Sequence, residues 1–324
     1  MIKPAYKISV GSWSTDSTQI RSDGYLIRLR IDLAMNKVNI AEMVVRAEDI
    51  PGIAQGDAVN ISVGPETAGQ VFAGVVESVN RNFNTWTIWA HSQMSTLIRY
   101  KVNKLYEQQK GGDIVRDLAQ IAGVTTGMVD NGLEYPVYSL GSDANMYDHM
   151  LDLAEREGYD VYADANDKLQ FRHYTPVTPQ SLEYGKNILQ INMEEYTPPY
   201  EGVNVFGESP AGHGQGKDAY SWLTKKEVKG SSGKSSGSVL SVADPALKDV
   251  SAASTVAESI AQTKNITKWG KAKVLGNNQI ELGKTIKVSG SPKNELNGTY
   301  KVYGVIHTLG KKTGYRTTIY WKEV

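Results

Sequence analysis

Apolar and polar residues alternate through Ile280-Glu281-Leu282-Gly283-Lys284-Thr285-Ile286-Lys287-Val288-Ser289-Gly290. After Asn297-Gly298 the alternation resumes from Thr299 to Leu309. Gly310 to Gly314 turn the chain, and Tyr315 to Trp321 alternate again. Period-two runs of β-branched and aromatic residues between glycine turns predict a three-stranded antiparallel meander. The same pattern occurs at 53–89. Ile53, Gly56, Val59 and Ile61 match Ile280, Gly283, Ile286 and Val288; Val71 to Val79 lies over Lys301 to Leu309 with Gly74 on Gly304; Trp86-Thr87-Ile88-Trp89 supplies the third strand. This order of matches predicts a duplicated β unit.

Upstream, Tyr6-Lys7-Ile8-Ser9-Val10 opens a strand. Tyr25, Ile27, Leu29, Ile31 and Leu33 share one face of the next strand, with Arg28, Arg30 and Asp32 on the other. Val38 to Val45 returns. With 53–89 this gives five or six antiparallel strands, enough to close a small barrel. From about 103 the period becomes helical. Ile114, Leu118 and Ile121 share a face, with Asp113 as the expected N-cap and Gly123 as the stop. A second helix, capped by Ser142 or Asp143, buries Met146, Tyr147, Met150, Leu151 and Ala154 and ends at Gly158. Tyr159 to Ala163 and Lys168 to Arg172 form a hairpin around Asp164-Ala165-Asn166-Asp167. Strands return at 188–207, and a short helix follows at Ser251 to Lys264, with Val256 and Ile260 inward. The fold class is therefore mainly β with an α+β insert: two similar antiparallel β-barrels flank a small helix-hairpin domain. The expected domains are 1–102, 103–187 and 188–324. Residues 208–238, rich in Gly, Ser and Lys, read as a mobile loop or long hairpin tip.

Composition narrows the function. At 324 residues with 35 basic and 35 acidic side chains, the formal net charge is zero, so no basic excess points to nucleic acid. With no cysteine, disulfide frameworks, cysteine zinc sites and thiol catalysis are excluded. No stretch approaches the roughly 18 apolar residues of a membrane span. The start, Met1 to Tyr6, lacks an apolar signal core, so synthesis and assembly in a cytoplasm are expected.

Chemistry-bearing motifs fall short of their requirements. Gly230-Ser231-Ser232-Gly233-Lys234-Ser235 has glycines too closely spaced for a phosphate loop. Gly212-His213-Gly214-Gln215-Gly216-Lys217 is followed by Asp218 where a hydroxyl is needed. His91, His149, His173, His213 and His307 show no metal-ligand spacing, and His149 reads as a surface or interface residue. Asp164-Ala165-Asn166 begins like a calcium loop, but Lys168 and a missing glycine make it a turn. Glu155/Glu157 and Glu194/Glu195 read as solvated neighbours. No catalytic, cofactor or metal residue is assigned, and no cofactor is expected.

Two stretches together resemble the bacteriophage late control protein D family, the baseplate hubs of contractile tails, also found as the hub part of type VI secretion spike proteins. One is Asp143 to Tyr162 running into Lys168-Leu169-Gln170-Phe171. The other comprises Leu282-Gly283 through Gly290, Asn297-Gly298-Thr299-Tyr300, Val302 to His307 and Gly314-Tyr315-Arg316-Thr317. The resemblance covers the insert and the second barrel, and the first barrel by architecture alone. It implies a homotrimer in which two barrels per chain make a pseudo-sixfold ring between a sixfold tail tube and a threefold spike. The expected function is thus a non-enzymatic structural hub in a virion tail baseplate. Its expected partners are a separate spike protein, since the chain stops after the second barrel, a tail tube or tube-initiator protein, and baseplate wedge proteins. Two alternatives stay open: a wall hydrolase using a carboxylate pair within 103–187, and a carbohydrate-binding receptor module on aromatic-rich barrels.

Overall fold

A computed structural model describes residues 4–18, 25–48, 52–208 and 227–323. The first β unit comprises β1 (Ala5–Val10), β2 (Trp13–Asp16), β3 (Leu26–Ala34), β4 (Ile40–Arg46), β5 (Ala58–Gly64), β6 (Gly69–Arg81) and β7 (Thr85–His91). Then come α1 (Ser95–Arg99), β8 (Lys104–Lys110), α2 (Gly111–Ile121), β9 (Thr126–Val129), β10 (Glu134–Leu140), α3 (Met146–Glu157), β11 (Tyr159–Ala163) and β12 (Leu169–His173). The chain re-enters the large sheet with β13 (Gln180–Glu183) and β14 (Ile188–Glu195). It leaves again for β15 (Gly202–Gly207), β16 (Lys229–Gly233), β17 (Val239–Asp244) and α4 (Val250–Lys264). It finishes with β18 (Lys268–Leu275), β19 (Thr285–Ser289), β20 (Gly298–Gly310) and β21 (Gly314–Lys322).

The duplication is visible in strand order. The first unit runs β3-β4-β7-β6-β5-β1 and the second β14-β18-β21-β20-β19-β13. Local detail repeats too. Gly56 (φ +89) donates its N–H to the Val76 carbonyl at 2.9 Å, and Val76 N–H returns to Asp57 at 2.9 Å. Gly283 (φ +71) donates to Val302 at 3.0 Å, and Val302 N–H returns to Lys284 at 2.9 Å. Both glycines hold the left-handed conformation that glycine adopts without steric cost. A register shift follows Leu26 in the β3–β4 pair and Ile188 in the β14–β18 pair. One polarity differs: β1 runs antiparallel to β5, whereas β13 runs parallel to β19.

The pairing corrects one sequence match. Val59 faces Gly74, and its counterpart Ile286 faces Tyr300. Gly74 therefore corresponds to Tyr300, and Gly304 lies four residues further on (304 − 300). A four-residue slip leaves both strand faces in phase, so alternation alone does not detect it. Among the described residues neither unit closes on itself by strand pairing. β3 pairs with β20, so one curled thirteen-stranded sheet runs through both units.

Two cores result. One fills the curl of the large sheet, with Ile8, Ile31, Met43, Ile61, Ile286 and Trp321 deep inside. The other belongs to an α+β body in which Leu118, Met150, Leu153 and Phe171 pack with Val203, Val205, Val256 and Ile260. The described residues of 202–264, namely 202–208 and 227–264, thus bury their apolar faces with the 103–187 segment. The sequence reading grouped them with the second barrel because they lie between two of its strands, β14 and β18. Arg156 holds the pieces together, reaching Asp244 at 2.5 Å and the Tyr138 hydroxyl at 2.8 Å. Of the 208–238 segment only 208 and 227–238 are described, and β16 there pairs antiparallel with β15. Helix caps also shift. Asn145, not Ser142 or Asp143, caps α3 by accepting from Asp148 N–H. Asp113 lies inside the first turn of α2, which starts at Gly111 after Lys110.

Candidate assembly interface

β20 joins the two units by dividing one of its edges. β21 occupies the other edge. On the shared side Gly298 to Lys301 pair with β19. From Gly304 to Gly310 that side passes to β3, from Ala34 to Arg28. Val305 faces Leu33, His307 faces Ile31 and Leu309 faces Leu29, and all six are buried. The junction is a continuous ladder with an apolar inner face, so its backbone groups are satisfied without a sheet edge.

Corresponding rows across the two units show what the free edges lack. In the first unit a row runs Leu29, Met43, Ile88, Val79. In the second it runs Ile191, Ala272, Ile319, Val305. Leu29 and Val305 are buried because they flank the β3–β20 junction. Their counterparts Ile191 and Val79 are half-buried. β14 is the terminal strand at its end of the sheet. β6 continues to Arg81 past Val75, its last pairing with β5, and no strand flanks that side among the described residues. Other apolar side chains sit at the same ends. Phe83, at the β6–β7 turn, is 96% exposed, and Leu189 and Leu275 are about half exposed beside a groove.

Among the described residues, those singled out in the sequence lie in separate places. His91 Nε2 contacts Glu77, and its Nδ1 lies 2.9 Å from Ser95 Oγ. The short contact with His91 holds the Glu77 carboxyl below the usual range. His149 is buried, against expectation, because its Nε2 bonds the Gly141 carbonyl at 2.9 Å and fastens the approach to α3. His173 is exposed, and His307 is buried in the β20–β21 ladder. His213 and the Gly212–Lys217 motif lie outside the described residues. The Gly230 motif forms strand β16, with Gly230 pressed on the backbone of α4. Asp164 caps its own turn, accepting from Asn166 and Lys168 N–H. Glu155 pairs with Lys264. Glu157 departs from the solvated reading: it is buried, accepting from Leu133 N–H and the Tyr135 hydroxyl. Burial pushes its carboxyl up to about 8. No group of three potential metal ligands occurs among the described residues. No helix there is long and apolar enough to cross a membrane.

No protein-family model matches the sequence, and no curated protein matches it. Solved structures do match. A prophage MuSo2 tail protein from Shewanella oneidensis superposes with a TM-score of 0.71 at 14% identity, covering 99% of this chain and 98% of that one. A tail protein from Neisseria meningitidis gives 0.72 at 11% identity, covering 99% and 97%. A type VI secretion component from E. coli, itself similar to the T4 bacteriophage tail proteins gp27 and gp5, gives 0.66 at 9% identity, covering 98% and 77%. The chain therefore has, over nearly its whole length, the fold of phage tail proteins and of a type VI secretion component. The mainly-β architecture with its α+β body, expected from the sequence, is borne out.

Proposed function

We propose that the protein is a structural hub of a contractile tail or related injection apparatus, working as a homotrimer whose six β units form a ring. Such a ring joins a sixfold tube to a threefold spike carried by another chain, with wedge proteins around it. The carrying observation is the half-buried pair Ile191 and Val79, whose counterparts are buried only because the β3–β20 ladder covers them. One heterologous contact made within the chain by β20 and β3 is repeated between chains by β6 and the next copy's β14. A repeated head-to-tail contact that closes leaves no free edge. Transferring the β20–β3 register puts Asn80 opposite Glu194, and Arg81 opposite Met193 with Glu195 on its diagonal. The reading is non-enzymatic, in line with the tail proteins that share the fold.

Light scattering of the purified chain, alone and with its spike, tests the assembly: a trimer is expected, and a monomer under both conditions overturns it. Because the chain has no cysteine, the Asn80→Cys/Glu194→Cys double variant tests the register directly. An interchain disulfide trimer on a non-reducing gel is expected.

A further inference from the structure

A cavity of about 320 Å³ opens where both β units meet the α+β body. That volume is at the small end of ligand pockets. Its inner wall is apolar, with Leu33, Val71, Ile280 and Leu282, and it includes His307. One polar wall is the hairpin β11–β12, where Asp160 pairs in register with Arg172 and Tyr162 with Gln170.

Three carboxylates line the cavity, Asp160, Asp164 and Glu281, and each is engaged within the fold. Asp160 turns from its cross-strand partner Arg172 to Lys301, at 2.6 Å. The Asp164 carboxylate is taken by Asn166 N–H, Lys168 N–H and Gln170 Nε2, at 2.9, 3.0 and 2.9 Å. Glu281 is paired loosely with Lys284 at 3.9 Å. Arg172 is left with one polar contact among the described residues, Met128 Sδ at 3.1 Å. The Tyr162 hydroxyl has no hydrogen-bond partner there and lies against Gly283, where a Cβ would come within 2.8 Å of it. At the inner wall the Tyr315 hydroxyl lies 2.9 Å from His307 Nδ1, while Nε2 is buried with no partner. The cavity thus holds two groups with donor capacity to spare, the Arg172 guanidinium and the Tyr162 phenol, beside carboxylates that are engaged elsewhere in the fold. A planar carboxylate matches a guanidinium in two-point geometry.

We propose that this cavity binds a small organic carboxylate, its carboxylate on Arg172 and the Tyr162 hydroxyl, its carbon skeleton against Leu33, Val71 and Leu282. The assignment rests on these groups alone and holds whether or not the chain trimerises. Isothermal titration of the full chain with malate, 2-oxoglutarate and citrate tests it, with inorganic phosphate and glucose as comparison probes. At least one carboxylate is expected to bind saturably and to move the His307 ring-nitrogen resonance. Arg172→Gln, which removes a single sulfur contact from the fold, is expected to weaken binding roughly tenfold or more. Tyr162→Phe is expected to weaken it less and to leave the melting temperature close to that of the parent. Three results overturn the proposal: no saturable binding by any of the three acids, phosphate binding as tightly as they do, or an Arg172→Gln chain that binds unchanged.

Discussion

His307 and Tyr315 meet inside the β20–β21 hairpin, ring nitrogen to hydroxyl at 2.9 Å. Among the described residues no carboxylate bonds the ring. Burial alone pulls the imidazole down to about 3. The unfolded chain takes up this proton below pH 6.5 and the folded chain does not. Stability from His307 is therefore full above about 6.5 and is lost as pH falls toward 3. Denaturant melts of His307→Gln should show a flatter acid limb than the parent, by about 2–3 kcal/mol between pH 7 and pH 4.5. Equal slopes would remove His307 as the cause.

Glu157 runs the other way. Its folded carboxyl stays protonated up to about 8, raised by burial against the hydrogen bonds from Tyr135 and Leu133. The unfolded carboxyl ionises near 4.5, so stability is full below that value and is lost as pH rises toward 8. Glu157→Gln keeps the accepting oxygen. It should leave stability nearly unchanged at pH 4 and raise it at pH 8, by at most about 5 kcal/mol. A variant equally or less stable at pH 8 contradicts this account.

Lys301 and Asp160 fasten the second β unit to the α+β body through an ion pair whose side chains are only 9% and 12% exposed. Lys301→Met leaves a buried carboxylate without its cation and should cost about 3–5 kcal/mol. The double variant Lys301→Met/Asp160→Leu should regain most of that loss. A thermodynamic cycle across the two positions measures the coupling, and additive losses would show that the pair contributes none.

Gly56 and Gly283 share a backbone role but not a neighbourhood. A Cβ on Gly56 meets nothing within 4 Å, whereas one on Gly283 lies 2.8 Å from the Tyr162 hydroxyl oxygen. Gly56→Ala should cost about 1–2 kcal/mol, from its left-handed backbone alone. Gly283→Ala should cost the same strain plus the contact. The ordering of the two midpoints in urea is the check.

The doubling was legible because Gly56 and Gly283 each stop a strand approach at a fixed distance before Val59 and Ile286. A left-handed turn constrains residue type more sharply than a strand does. The match of Gly74 to Gly304 failed for the converse reason: what crowds a strand glycine lies on neighbouring strands, as His91 does at Gly74, and any even slip preserves the faces. That Val203 and Val205 pack with Leu118 and Leu153 was not legible, because they look alike whichever core they enter. The burial of His149 and Glu157 depends on what α3 packs against, which local spacing does not carry. Arg172 gave no signal at all, since its isolation follows from Asp160 turning across the chain to Lys301.

The core of the α+β body is drawn from both sides of β14, and this imposes a schedule on synthesis. Leu118, Leu153 and Phe171 leave the ribosome well before Val256 and Ile260, the side chains that cover them from α4. At ~5–20 residues per second the wait is on the order of ten seconds. During that interval half a core stands open to solvent and to other nascent chains. Holding such a chain apart until α4 emerges is work for a chaperone, and yield on expression should depend on it more than on the strength of the finished fold.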